Sequence, residues 1–529
     1  MITAAKKSAM SPSHKPPRWV RVGAQVLACY AIAQLLCMGV LALNHIGFPL
    51  NLEAMELTVL QHVKRLMAGL PLYPAPSSDF IALAYNPLFY YLCLPFTWIL
   101  GPSLFTLRFV ALLGLLGCYG VLYSILYRQT QSRWWALMGI GLFAAAYRTM
   151  DSYLDTAHRE SWLLLSLLSG CFVLEQSRSR WRNCLGLGLV ILSFWIKQQG
   201  SVFVIGALLY LLWREPWKQS WLYVGLAIGL GPILYQWMPD SILGPSFHYY
   251  TWQVPRQWVE FIPWELLNLY YRTMRAFGVL ILACISGLLL IPRMASYPKQ
   301  TLTLTIWDFM LPFACAGGLL AALTPGSNYN VWIPMWTWFI LVGILGLKRI
   351  STQYPLWKQW GGSIVVLALS FSLLLYNPFA ALVAPQAQST YQAFTTFLGS
   401  LNGPVFAPDI GQLASGYQFS PGLMRVPLED IVRGPGVNEH NHPTVRRILQ
   451  PVLQPSQPAF LLLNHPLSED PLLDMLTQTY TLQQDLGDRF KPLKTLPRRY
   501  DMGWPRYLYQ FQGSTNIPTV ERPSPVNQE

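Results

Sequence analysis

Glu53 and Glu56 stand three residues apart directly after the first long apolar run, within the stretch NLEAMELTVLQHVKRLMAGLPLY at positions 51–73. At that spacing two carboxylates share one face of any helix that forms there. Carboxylates at a membrane surface suit general acid–base chemistry, and cations beside them suit the holding or release of a phosphate. Such cations follow along the chain. Arg108 is isolated near the outer end of a later apolar run and needs a partner at that depth, either a glutamate of the first loop or a substrate phosphate. Residues 148–160 crowd Arg148, Asp151, Asp155, His158, Arg159 and Glu160 between two apolar runs, more charge than ion pairing at a helix boundary calls for. Lys197 and Gln198 form the turn of a tight hairpin, where an ammonium can hold a lipid phosphate as a point charge or simply snorkel to the headgroups. Asn328 and Tyr329 belong to a compact polar turn, TPGSNYN, at positions 324–330.

The elements that must position these groups are membrane helices. Of the 529 residues 53% are hydrophobic, 14% aromatic and only 12% charged, against roughly 25% charged in soluble proteins. The net charge of +13 does not point to nucleic acid, because the basic residues fall in short clusters between apolar runs and so report topology. After a first run at positions 22–43, apolar spans can be placed at about 83–100, 104–127, 134–148, 161–176, 184–197, 200–213, 220–237, 275–292, 303–323, 329–347 and 361–384. The run at 83–100 holds Pro87, Pro95 and six aromatics, a composition for an interfacial helix. If it lies on the surface, the twelve basic residues of the inter-span clusters join the five before the first span on the side of the amino terminus, as the positive-inside bias requires. The sequence therefore predicts a polytopic α-helical membrane protein with about eleven transmembrane helices plus juxtamembrane helices, its amino terminus cytoplasmic.

Nine of the twelve acidic residues before position 385 then lie outside, and only Glu175, Glu215 and Asp308 lie inside. From about Pro385 the long apolar runs stop. Positions 1–384 are expected to form the membrane catalytic domain and 385–529 a small extracytoplasmic α/β domain, with short strands at 404–408 and 458–464 and a helix at 444–450. All eight cysteines lie in or beside apolar runs without a CxxC pair, which argues against disulfides and a zinc site. The absence of any Asn-X-Ser/Thr acceptor favours a bacterial protein, located in the inner membrane as part of the cell envelope.

The order of these motifs resembles the GT-C superfamily of polytopic glycosyltransferases, in particular its family 39-like branch of protein O-mannosyltransferases and aminoarabinose transferases. The resemblance runs through Glu53 and Glu56, Gly69-Leu-Pro-Leu-Tyr73, Tyr85-Asn-Pro87, Gly101 before Arg108, Asp155-Thr-Ala-His-Arg-Glu160, Lys197-Gln198 and Gly326-Ser-Asn-Tyr-Asn330. It implies a polyprenyl-phosphate-linked sugar donor at the outer leaflet, a glycan, lipid or protein acceptor, and inverting transfer with an acidic base in the first outer loop. It leaves divalent-metal assistance open. Members commonly carry an Asp in that loop where this chain has only Glu, so the base is Glu56 or Glu53. Glu56 is preferred, being thirteen residues before Gly69, with Asp155 as a further catalytic candidate. Arg108, Arg148, His158, Arg159, Glu160, Lys197, Gln198, Asn328 and Tyr329 are expected to bind substrate, and no residues are expected to hold a metal. A polytopic transporter or lipid flippase is the alternative, but neither an internal repeat nor a midplane acid supports it.

Overall fold

The computed structural model describes residues 17–177, 179–295, 304–324, 328–359, 361–413, 416–440, 442–453, 458–497, 499 and 503–512. Its helices are α1 (Arg18–Ile46), α2 (Glu56–Met67), α3 (Leu88–Leu100), α4 (Leu104–Thr130), α5 (Arg133–Ala145), α6 (Glu160–Gln176), α7 (Arg180–Ile196), α8 (Gly200–Arg214) and α9 (Trp217–Ile228). They continue with α10 (Pro263–Ala295), α11 (Ile306–Ala322), α12 (Ile333–Gln353) and α13 (Gly362–Leu373), and beyond the membrane part α14 (Ala387–Gly399), α15 (Arg425–Val432) and α16 (Pro443–Leu449). A helix stands at each of the apolar runs. The chain is a polytopic helical membrane protein: α1, α4, α10 and the unit Tyr329–Gln353 containing α12 are each long and apolar enough to cross a bilayer, and several shorter apolar helices pack among them.

The α3 helix begins and ends on the same face. Asn86, just before it, donates to the carbonyl of Phe194 near the end of α7, 2.6 Å away. Arg108, in the first turns of α4 just after it, reaches the carbonyls at 45–50 that follow α1. A helix of thirteen residues whose two ends sit at one level lies along the surface, as the aromatic and proline content predicts.

Side-chain bonds sort the loops to two ends of the bundle. At one end Trp307 donates to Glu175 (2.8 Å) and Arg349 forks onto Asp308 (2.7 and 2.6 Å). At the other, residues 51–56, 85–86, 157–160, 197–199 and 330–331 bond to one another. This is the partition expected from the positive-inside count.

At the centre lies α12, with 94% of its apolar window buried. Small residues let α10 approach it: a Cβ on Gly287 would come within 2.4 Å of Gly346 Cα, and one on Gly346 within 2.1 Å of the Ala283 carbonyl oxygen. Membrane helices lack a hydrophobic drive to associate, so backbone proximity of this kind supplies the packing.

The carboxyl-terminal part builds a four-stranded sheet in the order β1-β2-β4-β3 from β1 (Val405–Phe406), β2 (Phe460–Leu463), β3 (Tyr480–Asp485) and β4 (Tyr507–Phe511). β1 and β2 are parallel and the remaining pairs antiparallel. The first two strands and α16 fall where the sequence predicts them. β3 is an edge strand exposed at five of its six positions, so its sequence YTLQQD shows no buried alternation. This part sits on α2: Gln61 donates to the Gly422 carbonyl (3.0 Å), Gln412 to the Leu57 carbonyl (2.9 Å), and the Leu496 amide to the Leu52 carbonyl (3.0 Å).

Candidate active site

Between the membrane helices and the carboxyl-terminal part lies a cavity of about 640 Å³. The loop after α1 contributes Glu53 to its wall, Tyr85 and Asn330 come from later loops, α15 contributes Arg425, Glu429 and Asp430, and Arg433 follows at the end of that helix. Glu53 is fully buried, with Oε2 accepting from the Met55 amide at 3.0 Å. Trp258 closes one side, its indole donating to the Asp430 carbonyl at 2.8 Å.

Glu56 does not line this cavity. Its carboxylate accepts from Arg108 Nε (2.8 Å) and Nη2 (2.6 Å), from the Leu52 amide (2.6 Å) and from the Ala157 amide (2.8 Å). Four bonds fill the acceptor sites of a carboxylate. Arg108 is equally committed, since its remaining N–H groups go to the carbonyls of His45, Phe48 and Leu50. The expectations that Glu56 is a base and that Arg108 binds phosphate therefore do not fit the geometry: the pair staples the end of α1 to α4 and holds the loop that carries Glu53. Asp155, also expected to be catalytic, lies outside the cavity wall. It accepts from Tyr147 (2.9 Å) and contacts His45 Nδ1 (2.6 Å), tying α1 to the loop after α5.

The remaining candidates form a second cluster. Glu160 Oε1 accepts from Lys197 Nζ (2.6 Å) and from Asn330 Nδ2 (2.8 Å), with His158 Nδ1 at 3.5 Å. Arg159 is 1% exposed and stacks on the Tyr85 ring with its guanidinium carbon 3.5 Å from the centroid, yet none of its nitrogens makes a hydrogen bond among the described residues. Asn328 lines the cavity and donates to the Tyr153 hydroxyl at 2.8 Å, whereas Tyr329 turns away beneath Arg272. Arg148 bonds Asp151 at 3.0 Å and belongs to a separate pocket. Pro325–Ser327, part of the predicted polar turn, lie outside the described residues.

Tyr85 and Trp258 are shared with a smaller pocket of about 280 Å³ that Lys197 and Gln198 also line. Gln198, Ser201 and Pro255 in turn open onto an apolar groove of about 580 Å³ along α7, α8 and the broken end of α9, where Gly231 and Pro232 interrupt the helix. Gln198 holds this junction by donating to the carbonyls of Ala84 (3.1 Å) and Thr251 (3.0 Å). The three spaces run from apolar, through one with Lys197 in its wall, to one lined by carboxyl and guanidinium groups together.

Among the described residues no three His, Cys, Asp or Glu side chains converge as metal ligands would. No family model matches the chain, and no curated protein is similar to it in sequence. Among solved structures, ArnT from Cupriavidus metallidurans in the apo state has 11% identity and a TM-score of 0.50 over 93% of this chain and 97% of that one. This chain has the GT-C fold. The same ArnT bound to undecaprenyl phosphate scores 0.44 at 11% identity over 96% of this chain and 99% of that one. An Archaeoglobus fulgidus oligosaccharyltransferase with Zn and sulfate scores 0.47 at 10% identity over 80% and 67%. Within this GT-C fold, the acids and cations of the site fall on the face that carries the sheet domain.

Arg425, Glu429, Asp430, Arg433 and His465 line the cavity from a part of the chain in which the sequence offered no site residues. Burial pushes the Glu429 carboxyl up to about 7 and raises Asp430 as well. Their signal was faint. Glu429 and Asp430 share an eight-residue helix whose apolar positions match those of any amphipathic segment.

Proposed function

We propose that this chain is a membrane glycosyltransferase that moves a sugar from a polyprenyl-phosphate donor to an acceptor hydroxyl on the extracytoplasmic face. The observation that carries the reading is the order of three neighbouring spaces that share wall residues: an apolar groove, a pocket with Lys197 in its wall and Arg159 behind Tyr85, and a cavity with Glu53 in its wall. A lipid tail, its phosphate and its sugar follow that order of polarity. ArnT binds undecaprenyl phosphate; in this chain the wall residues of the three spaces support a ligand of that chemistry.

In this reading the acceptor enters from the side of the sheet domain, and its hydroxyl proton passes to the Glu53 carboxylate. The acceptor oxygen attacks the anomeric carbon as the bond from that carbon to the phosphate oxygen breaks. One displacement on the face opposite the leaving group inverts the centre. The lipid phosphate leaves with an added negative charge, which the Lys197 ammonium neutralises directly. Arg159, a buried cation that makes no hydrogen bond among the described residues, adds to the same field through the Tyr85 ring. Glu160 aims Lys197, and Asn330 links that aim to the cavity wall.

The test is to extract the full chain gently from its membrane and identify bound lipid by native mass spectrometry. A polyprenyl monophosphate, free or carrying a sugar, is expected on the wild type and lost with Lys197→Met. Its absence from the wild type would remove the reading.

A further inference from the structure

A separate pocket of about 260 Å³ lies where α5 and α13 end at the outer face, walled by Arg148, Arg272, Arg275, Arg499, Asp151 and Tyr329 among others. Arg272 and Arg499 share one aromatic ring, with guanidinium carbons 3.8 and 5.2 Å from the Tyr329 centroid. Among the described residues charge is not balanced there. Asp151 bonds Arg148 at 3.0 Å and Glu265 pairs with Arg499, while Arg272 makes a neutral bond to Asn268 (3.1 Å). Arg275 is exposed with no hydrogen bond or ion pair among the described residues. Among the described residues four guanidiniums stand against two carboxylates, leaving two positive charges beside the membrane surface. Guanidiniums placed this close repel unless an anion lies between them, and their planar forks match phosphate oxygens in pairs.

We infer that this pocket is a second anion site, distinct from the Lys197 pocket, that takes a phosphate group at the outer surface of the membrane. The phosphate belongs either to a lipid headgroup or to a soluble phosphate. Tyr329 is the hinge of the assignment: its ring faces the arginines while its neighbours Asn328 and Asn330 face the catalytic cavity. An occupant therefore sits on the far side of one tripeptide from the reaction. The inference concerns binding and holds or fails independently of the glycosyltransferase reading.

The experiment uses the full chain in nanodiscs that mix phosphatidylglycerol with phosphatidylcholine. Retained lipid is read by native mass spectrometry, with inorganic pyrophosphate as the soluble probe. The wild type and Lys197→Met are both expected to favour phosphatidylglycerol about tenfold; Arg272→Gln/Arg275→Gln is expected to lose that preference, and Arg272→Lys/Arg275→Lys to keep most of it. Competition by pyrophosphate assigns the site to phosphate from either source, and its failure to compete assigns the site to the lipid headgroup. Should the double glutamine variant not fold, Arg275→Gln alone, an exposed side chain without a bond to lose, is expected to weaken the preference about threefold. Equal retention by wild type and the glutamine variants overturns the inference, as does loss of retention in Lys197→Met.

Discussion

Glu56 and Arg108 hold each other through two bonds of 2.6 and 2.8 Å, both side chains buried, and every remaining acceptor or donor site of the pair is taken by backbone. In the proposed mechanism Glu56, with all its acceptor sites filled, is a positioning group. Glu53, one turn earlier, is the one in the cavity wall.

Removing one partner of that pair is expected to cost stability rather than donor affinity. Arg108→Ala leaves the Glu56 charge buried without its cation, an effect of about 3–5 kcal/mol. Thermal unfolding in detergent should show a strongly lowered midpoint, while the fraction that remains folded binds polyprenyl phosphate as the wild type does. A normal midpoint with lost lipid binding would return Arg108 to the phosphate.

Lys197 and Glu160 separate in the opposite way. Lys197→Met removes the cation facing the donor phosphate and is expected to weaken polyprenyl phosphate binding by roughly 2–5 kcal/mol. Glu160→Gln keeps an acceptor oxygen for Lys197 but removes the competing negative charge, so donor binding should hold or tighten. Equal losses in both variants would make the ion pair structural only.

The pH dependence follows from Glu429, whose carboxyl burial pushes up from 4.5 to about 7. The folded state keeps the proton that the unfolded chain releases, so this contribution is intact below about pH 4.5 and is lost as pH rises towards 7. Glu429→Gln carries no such loss. Its unfolding midpoint relative to wild type should rise between pH 4.5 and pH 8 in a thermal series, and a constant difference would show an ordinary carboxyl.

The spans were legible because each is a continuous apolar run, and the surface course of α3 because prolines and aromatics interrupt one. The grouping of Glu53, Glu56 and Glu160 with Lys197 and Asn330 at one end of the bundle followed from counting basic residues. The choice between Glu53 and Glu56 was not legible. It depends on Arg108, fifty-two positions beyond Glu56, and on which carboxylate the close of α1 turns towards it. Likewise α15 reaches the cavity only because the sheet domain docks on α2, through contacts such as Gln61 to Gly422 that span 361 positions. A local pattern in RVPLEDIV carries no record of that docking.

The most direct test of the account is turnover by Glu53→Gln. Full-length wild type and variant are compared in native membranes, which supply donor and acceptor, and the ratio of sugar-charged to free polyprenyl phosphate on the recovered protein is read by mass spectrometry. A general base contributes about 10²–10⁴-fold, so the variant is predicted to accumulate the charged lipid with transfer reduced by that order. Wild-type release of free polyprenyl phosphate by Glu53→Gln, with the charged lipid consumed, would contradict the assignment of Glu53.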